Sequence, residues 1–172
     1  MQFTFSQPIP LPPAQVVAHM CEEAFQAEKA ARLGARDFGM SREELTTGTT
    51  VRTERRLPTV GLPEFVKALV RPVMVVVETE RWEHPDDDGR QGGAFEIDVD
   101  GAPVRFRGHV GVDPAEGGSR LTFDGTLSST VPLFRDRVEE ASAALVRETM
   151  EIECALLEER SRDGSAPQAA GA

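Results

Sequence analysis

Between Gly92 and Ser129 the chain alternates apolar and polar residues almost without a break, and from Leu133 to Arg160 the period changes to that of a helix. This switch constrains the fold more than any other feature. Strands joined by tight turns build an antiparallel sheet, and one long amphipathic helix needs a surface to cover. Leu121, Phe123, Gly125 and Leu127 fall on one side of a strand, with Thr122, Asp124 and Thr126 on the other. Upstream, Asp100-Gly101 is a hairpin signal, because a type I′ turn needs positive φ at both central positions. A two-residue turn there predicts that Val99 faces Ala102, Ile97 faces Val104, Phe95 faces Phe106 and Glu96 faces Arg105. Apolar pairs then share one face, which Val110 and Val112 continue, so the sheet has a dry face and a wet one. On the helix, Phe134, Val138, Ala141, Leu145, Thr149, Ile152 and Leu156 form the predicted apolar stripe, flanked by Val146, Met150 and Leu157.

The earlier elements complete the pattern. Phe3 and Phe5 alternate with Thr4 and Ser6 in a first strand that Pro8, Pro10, Pro12 and Pro13 bring to an end. Val16, Val17, Met20, Ala24 and Phe25 recur at helical spacing until Leu33-Gly34, which fits two short helices. A hairpin over Ala35 to Leu57, turning near Thr47-Gly48, precedes a short helix at Glu64 to Val70 and a long strand at Val73 to His84. The predicted architecture is α+β: a curved antiparallel sheet of about seven strands wrapped around a long C-terminal helix, with two short helices after strand one. Residues 1–160 are expected to form a single domain and 161–172 a disordered small-residue tail.

The charge excludes some functions. Nineteen basic residues against 29 acidic ones leave a net charge of −10, with no cationic surplus to neutralise a phosphate backbone, so no nucleic-acid partner is expected. Val73 to Val77 is the longest aliphatic run, too short for stable membrane insertion. Two distant cysteines, Cys21 and Cys154, and a start without the basic and apolar regions of a signal peptide point to a cytoplasmic protein. Nothing in the sequence specifies an oligomeric state.

The element order resembles the START-like helix-grip (SRPBCC) superfamily of polyketide cyclases, lipid-transfer domains and the birch-pollen allergen. Leu121-Thr-Phe-Asp-Gly-Thr-Leu, Val131-Pro-Leu at the helix entry and Val76-Val-Glu-Thr-Glu-Arg-Trp82 are similar to strings in an uncharacterised family of that superfamily common in actinobacteria. The 17 Arg against 2 Lys agree with a GC-rich genome. The resemblance implies a cavity between sheet and helix that holds a hydrophobic small molecule such as a lipid, isoprenoid or polyketide-like compound. Its lining is expected from Phe95, Ile97, Phe106, Val110, Leu121, Phe123 and Leu127 on the sheet and from Val138, Leu145 and Ile152 on the helix. Val60, Leu62, Phe65 and Leu69 form a candidate lid, or simply a plug for one end of the sheet.

Candidate chemistry is sparse. His19, His84 and His109 lack metal-ligand spacing, and Asp86-Asp-Asp lacks that of a calcium loop, so neither metal nor cofactor is expected. There is no tyrosine, no nucleophile elbow and no phosphate-binding glycine loop, and both thiols have acidic neighbours. Glu78 and Glu80 are the only candidates for acid–base work, because they share a strand face with Trp82. Burying two unpaired carboxylates is costly, which favours the opposite register, with Val73, Val75, Val77 and Thr79 inward. Non-catalytic binding of a hydrophobic molecule is the leading expectation. A cyclase or dehydratase using Glu78 or Glu80, and an acidic protein-interaction module with a filled core, are the alternatives.

Overall fold

A computed structural model of the chain describes residues 1–59, 64–68, 72–100, 102, 104–131 and 134–164. Strand β1 (Gln2–Ile9) leads into helices α1 (Pro13–Met20) and α2 (Glu23–Arg32). Strands β2 (Asp37–Leu45) and β3 (Gly48–Pro58), the short helix α3 (Glu64–Lys67) and strands β4 (Val73–Glu83), β5 (Gln91–Asp100), β6 (Val104–Ala115) and β7 (Gly118–Ser129) follow. Helix α4 (Arg135–Asp163) comes last. Pro13 opens α1 where a missing N–H costs nothing, and Gly34 ends the α2 region at a φ of 73°. All seven strands pair antiparallel in the order β1-β7-β6-β5-β4-β3-β2. The predicted α+β sheet-and-helix architecture is the observed one.

The β5–β6 register differs from the two-residue turn expected at Asp100-Gly101. Ile97 faces Phe106, Phe95 faces Gly108 and Glu96 faces Arg107, and pairing ends at Asp98–Arg105. The register is thereby shifted by two residues, with the Ala102 amide donating to Val99 O at 3.2 Å. A slip of two preserves parity, so every side chain keeps its predicted face. Phe95, Ile97, Phe106, Val110 and Val112 are buried, while Arg105 and His109 are exposed.

Glycines allow the sheet to curl. Phe3, Gly125, Gly108 and Phe95 lie in one row across β1, β7, β6 and β5. A Cβ on Gly108 would stand 2.2 Å from Asp124 O, and one on Gly125 2.4 Å from Arg107 O. Neighbouring backbones approach that closely only where the strands bend sharply. The flanking rings meet over the gap, with Phe95 and Phe123 centroids 4.9 Å apart and Phe3 and Phe106 centroids 5.5 Å apart.

The stripe on α4 is turned by about one residue from the predicted line. Val138, Met150, Cys154, Leu156 and Leu157 are buried, with Val146 half-buried on the same face, while Phe134 and Leu145 are exposed at 44% and 39%. The predicted flank faces the core, because the helix packs on β7 and β1 and also against α2, which buries a wider arc of its C-terminal half. Gly164 closes α4 at a φ of 61°, its amide bonded to Arg160 O.

Gly108→Ala should lower stability by about 1–3 kcal/mol through the backbone clash with β7, read as a lower urea midpoint at unchanged m-value.

Candidate functional site

Strand β4 presents Val76, Glu78, Glu80 and Trp82 to the interior. Val75, Val77 and Thr79 are half-buried on the opposite side. This overturns the expected aliphatic register, and the reason is that the carboxylates are not unpaired. Glu78 Oε1 accepts from Lys29 Nζ at 2.7 Å, and Glu78 Oε2 accepts from Arg55 Nη2. Lys29 Nζ also donates to Glu153 Oε2 on α4. Glu80 Oε2 accepts from Trp82 Nε1 at 2.7 Å. Lys29, Arg55, Glu78, Glu80 and Glu153 are all within 2% of complete burial.

Local structure explains each position. Arg55 alternates with Val51 and Thr53 on the inner face of β3, opposite Val76 of β4. Lys29 follows Phe25 at helical spacing on the inner side of α2, and Glu153 lies between Met150 and Leu157 on the inner side of α4. The sequence reading missed these three partners. Arg55 was detectable as a charge on the buried parity of its strand, and Lys29 and Glu153 as charges inside apolar helical arcs.

The two strand carboxylates are shifted in opposite directions. Burial pushes the Glu78 pKa up, but the charges and hydrogen bonds of Arg55 and Lys29 prevail and hold it at about 2. Burial pushes Glu80 well above the carboxylate range, and the nearby charges of Glu153 and Glu78 add to the effect. Glu153 is raised too, chiefly by burial, although Lys29 opposes this. Burial would depress Lys29, but Glu153 and Glu78 together raise its pKa. The two cations, Lys29 and Arg55, bond Glu78 and Glu153, and Glu80 takes its hydrogen bond from Trp82. Carboxylate oxygens of Glu78, Glu80 and Glu153 converge within 4.8 Å, the spacing of a metal site, yet the ammonium and guanidinium already supply the positive charge there. Elsewhere burial raises the Cys21 thiol to about 12, and it raises Cys154 as well, which leaves both unreactive.

Beside this cluster is a cavity of about 310 Å³. Val76, Ile97, Val99, Phe106 and Leu127 line its sheet side, and Val138, Ser142, Leu145, Val146 and Thr149 its helix side. Leu57, Pro58 and Met74 border it at the strand ends, and Arg32 stands at its rim, bonded to Glu159 and Glu28. Of the residues expected to line a cavity, Ile97, Phe106, Leu127, Val138 and Leu145 do so. Phe95, Val110, Leu121 and Phe123 lie instead in solid core, and Ile152 packs beside it. The reason is α1, which covers β5, β6 and β7 and fills that half of the sheet with Val16, Val17 and Met20. Arg55 reaches the cavity wall, but Glu78 and Glu80 stand behind it. Phe65 is half-buried under the Arg137 guanidinium, 4.8 Å from the ring centre, and is not among the lining residues; Val60, Leu62 and Leu69 fall outside the described residues.

Residues 4–160 match the model of a family described as "Protein of unknown function (DUF2505)". The chain belongs to this family. No curated protein matches it in sequence. Among solved structures it is similar to TTHA0849 from Thermus thermophilus, at 19% identity and a TM-score of 0.62, covering 96% of this chain and 100% of that one. The ZhuI aromatase/cyclase from Streptomyces sp. R1128 aligns at 10% identity and a TM-score of 0.60, covering 94% and 93% of the two chains. A STAR-related lipid transfer protein from Xanthomonas axonopodis aligns at 16% identity and a TM-score of 0.57, covering 94% and 85%. These likenesses establish the START-like helix-grip fold. No helix among the described residues is long and apolar enough to cross a membrane.

Lys29→Met should destabilise the protein by about 3–5 kcal/mol in urea unfolding, because it strands Glu78 and Glu153 beside each other. Stability should also depend on pH at both ends. Glu78 contributes fully above about pH 4.5, and its contribution is lost as pH falls towards 2. Glu80 acts in the opposite sense: its contribution is complete below that pH and is lost as pH rises through its elevated pKa. Urea midpoints of Glu80→Gln should therefore fall less than wild type as pH rises from about 4.5; equal slopes above that pH would refute this assignment.

Proposed function

We propose that the protein binds a hydrophobic small molecule in the space between the sheet and α4, without transforming it. The observation that carries this reading is the apolar cavity of about 310 Å³, at the lower end of ligand-sized pockets of roughly 300–1,000 Å³. A filled interior, as an interaction module would have, does not match that volume. The cyclase-type alternative needs Glu78 or Glu80 to touch the substrate. Glu78 is held ionised between two cations, Glu80 is bonded to Trp82, and neither lines the cavity. The aromatase/cyclase and lipid transfer relatives suit either reading, since they share only the fold. The segment around α3 is proposed as a cover for the entrance, supported by the Phe65–Arg137 contact between α3 and the first turn of α4. We further propose one domain over residues 1–160 and a cytoplasmic location.

N-Phenyl-1-naphthylamine, a neutral apolar fluorophore, should brighten on addition to the protein, and native mass spectrometry should find an apolar molecule co-purifying from the host. Val146→Phe should reduce dye uptake while leaving the circular dichroism spectrum intact. Bare protein that takes up no dye would refute the binding reading.

A further inference from the structure

Arg55 is the feature of the cavity wall that neither the fold nor the charge cluster fully uses. Its side chain is 1% exposed, and only Nη2 is bonded, to Glu78. Nε and Nη1 are buried without an acceptor. Glu78 Oε1 receives Lys29 and Oε2 receives Nη2 of Arg55, and neither oxygen is bonded to Nε or Nη1. Glu80 Oε1 and Glu153 Oε1 in the same cluster are also buried without a partner and are not bonded to Arg55, while Val76 lies directly across from Arg55 and Val99 lies beyond it. Buried guanidinium donors with no partner are destabilising, and native proteins keep them where something else supplies the acceptor. Here the unbonded edge belongs to a residue that forms part of a ligand-sized cavity, while its bonded edge is fixed through Glu78 to Lys29 and Glu153.

We propose that the bound molecule carries a neutral carbonyl oxygen, as in a ketone, ester, amide or lactone, which accepts a hydrogen bond from Nε or Nη1 of Arg55. The inference rests on the binding reading above and narrows it from any apolar compound to one with an apolar body and a single carbonyl acceptor. A carbonyl suits the site better than a carboxylate. The positive charges of Lys29 and Arg55 are already matched by Glu78 and Glu153, so a buried anion would arrive with no cation left to balance it. Arg55 is a binding residue in this account. Glu78, Lys29 and Glu153 are positioning residues, which fix the bonded edge of the guanidinium.

Three naphthalenes of nearly equal shape separate the possibilities by equilibrium dialysis: 2-acetylnaphthalene, 2-isopropylnaphthalene and 2-naphthoate. The acetyl compound should bind at least about tenfold more tightly than the other two. In Arg55→Met its advantage over the isopropyl compound should shrink to within about twofold. That variant also removes a partner of Glu78, so a second measurement uses the unaltered protein. The infrared carbonyl stretch of bound 2-acetylnaphthalene should lie below its position in heptane, as a hydrogen-bonded carbonyl requires. Equal affinity of the acetyl and isopropyl compounds, or a stretch unchanged from heptane, overturns the carbonyl assignment and leaves the cavity reading standing. Tightest binding of 2-naphthoate overturns it in favour of an anion site. Failure of all three, in protein that also excludes N-phenyl-1-naphthylamine, overturns the binding reading itself.

Discussion

Lys29 lies between Glu78 on the sheet and Glu153 on the long helix, and Glu78 in turn holds Arg55 on the next strand. Four elements, α2, β3, β4 and α4, thus meet at one buried charged point. Apolar packing is tolerant of sliding, because one methyl group fits beside another in many ways. A buried ammonium with two carboxylates permits far fewer arrangements, since any displacement leaves a charge without its partner. The network therefore fixes how α2 and α4 sit over the sheet, and with them the width of the space between α4 and strands β3 to β7. On the outside, Arg32 bonds Glu159 and Glu28, and Arg160 bonds Glu28, repeating the α2–α4 connection in solvent. Those exposed pairs contribute little individually. The buried one sets the geometry.

The concave face divides into two regions with different tasks. Under α1 it is solid, with Phe95, Phe123, Val110 and Leu121 packed among Val16, Val17 and Met20. Under the first half of α4 it is hollow. Side-chain packing is concentrated in the first region and free volume in the second, with the charge cluster on the border between them. The glycine row at Gly108 and Gly125 produces the curl that allows one sheet to serve both.

Much of this was legible in the sequence. The succession of elements along the chain, the two faces of β5 to β7 and the long helix follow from side-chain period and turn residues, and parity survived even where the Asp100-Gly101 turn proved longer than its dipeptide suggests. Strand β4 was misread because its carboxylates were weighed without their partners. Lys29, Arg55 and Glu153 lie 49, 23 and 75 residues away from Glu78, and pairing over such separations leaves no local trace. The parity of Arg55 beside Val51 and Thr53 was the available clue. The division of lining from core was illegible for a similar reason: Ile97 and Phe95 are equivalent by period, and only the position of α1 separates them.

The distribution of burial along α4 has a mechanical meaning. Its second half, from Met150 to Leu157, is clamped by core contacts and by Glu153, whereas its first half meets the sheet across the cavity. The helix is thus a beam held at both ends, because Glu139 near its start accepts from the Ser129 amide at 3.0 Å and from the Met1 amino group at 2.7 Å. The space beneath lies between the two anchors, so its depth is set at both ends by buried hydrogen bonds and not by apolar packing alone.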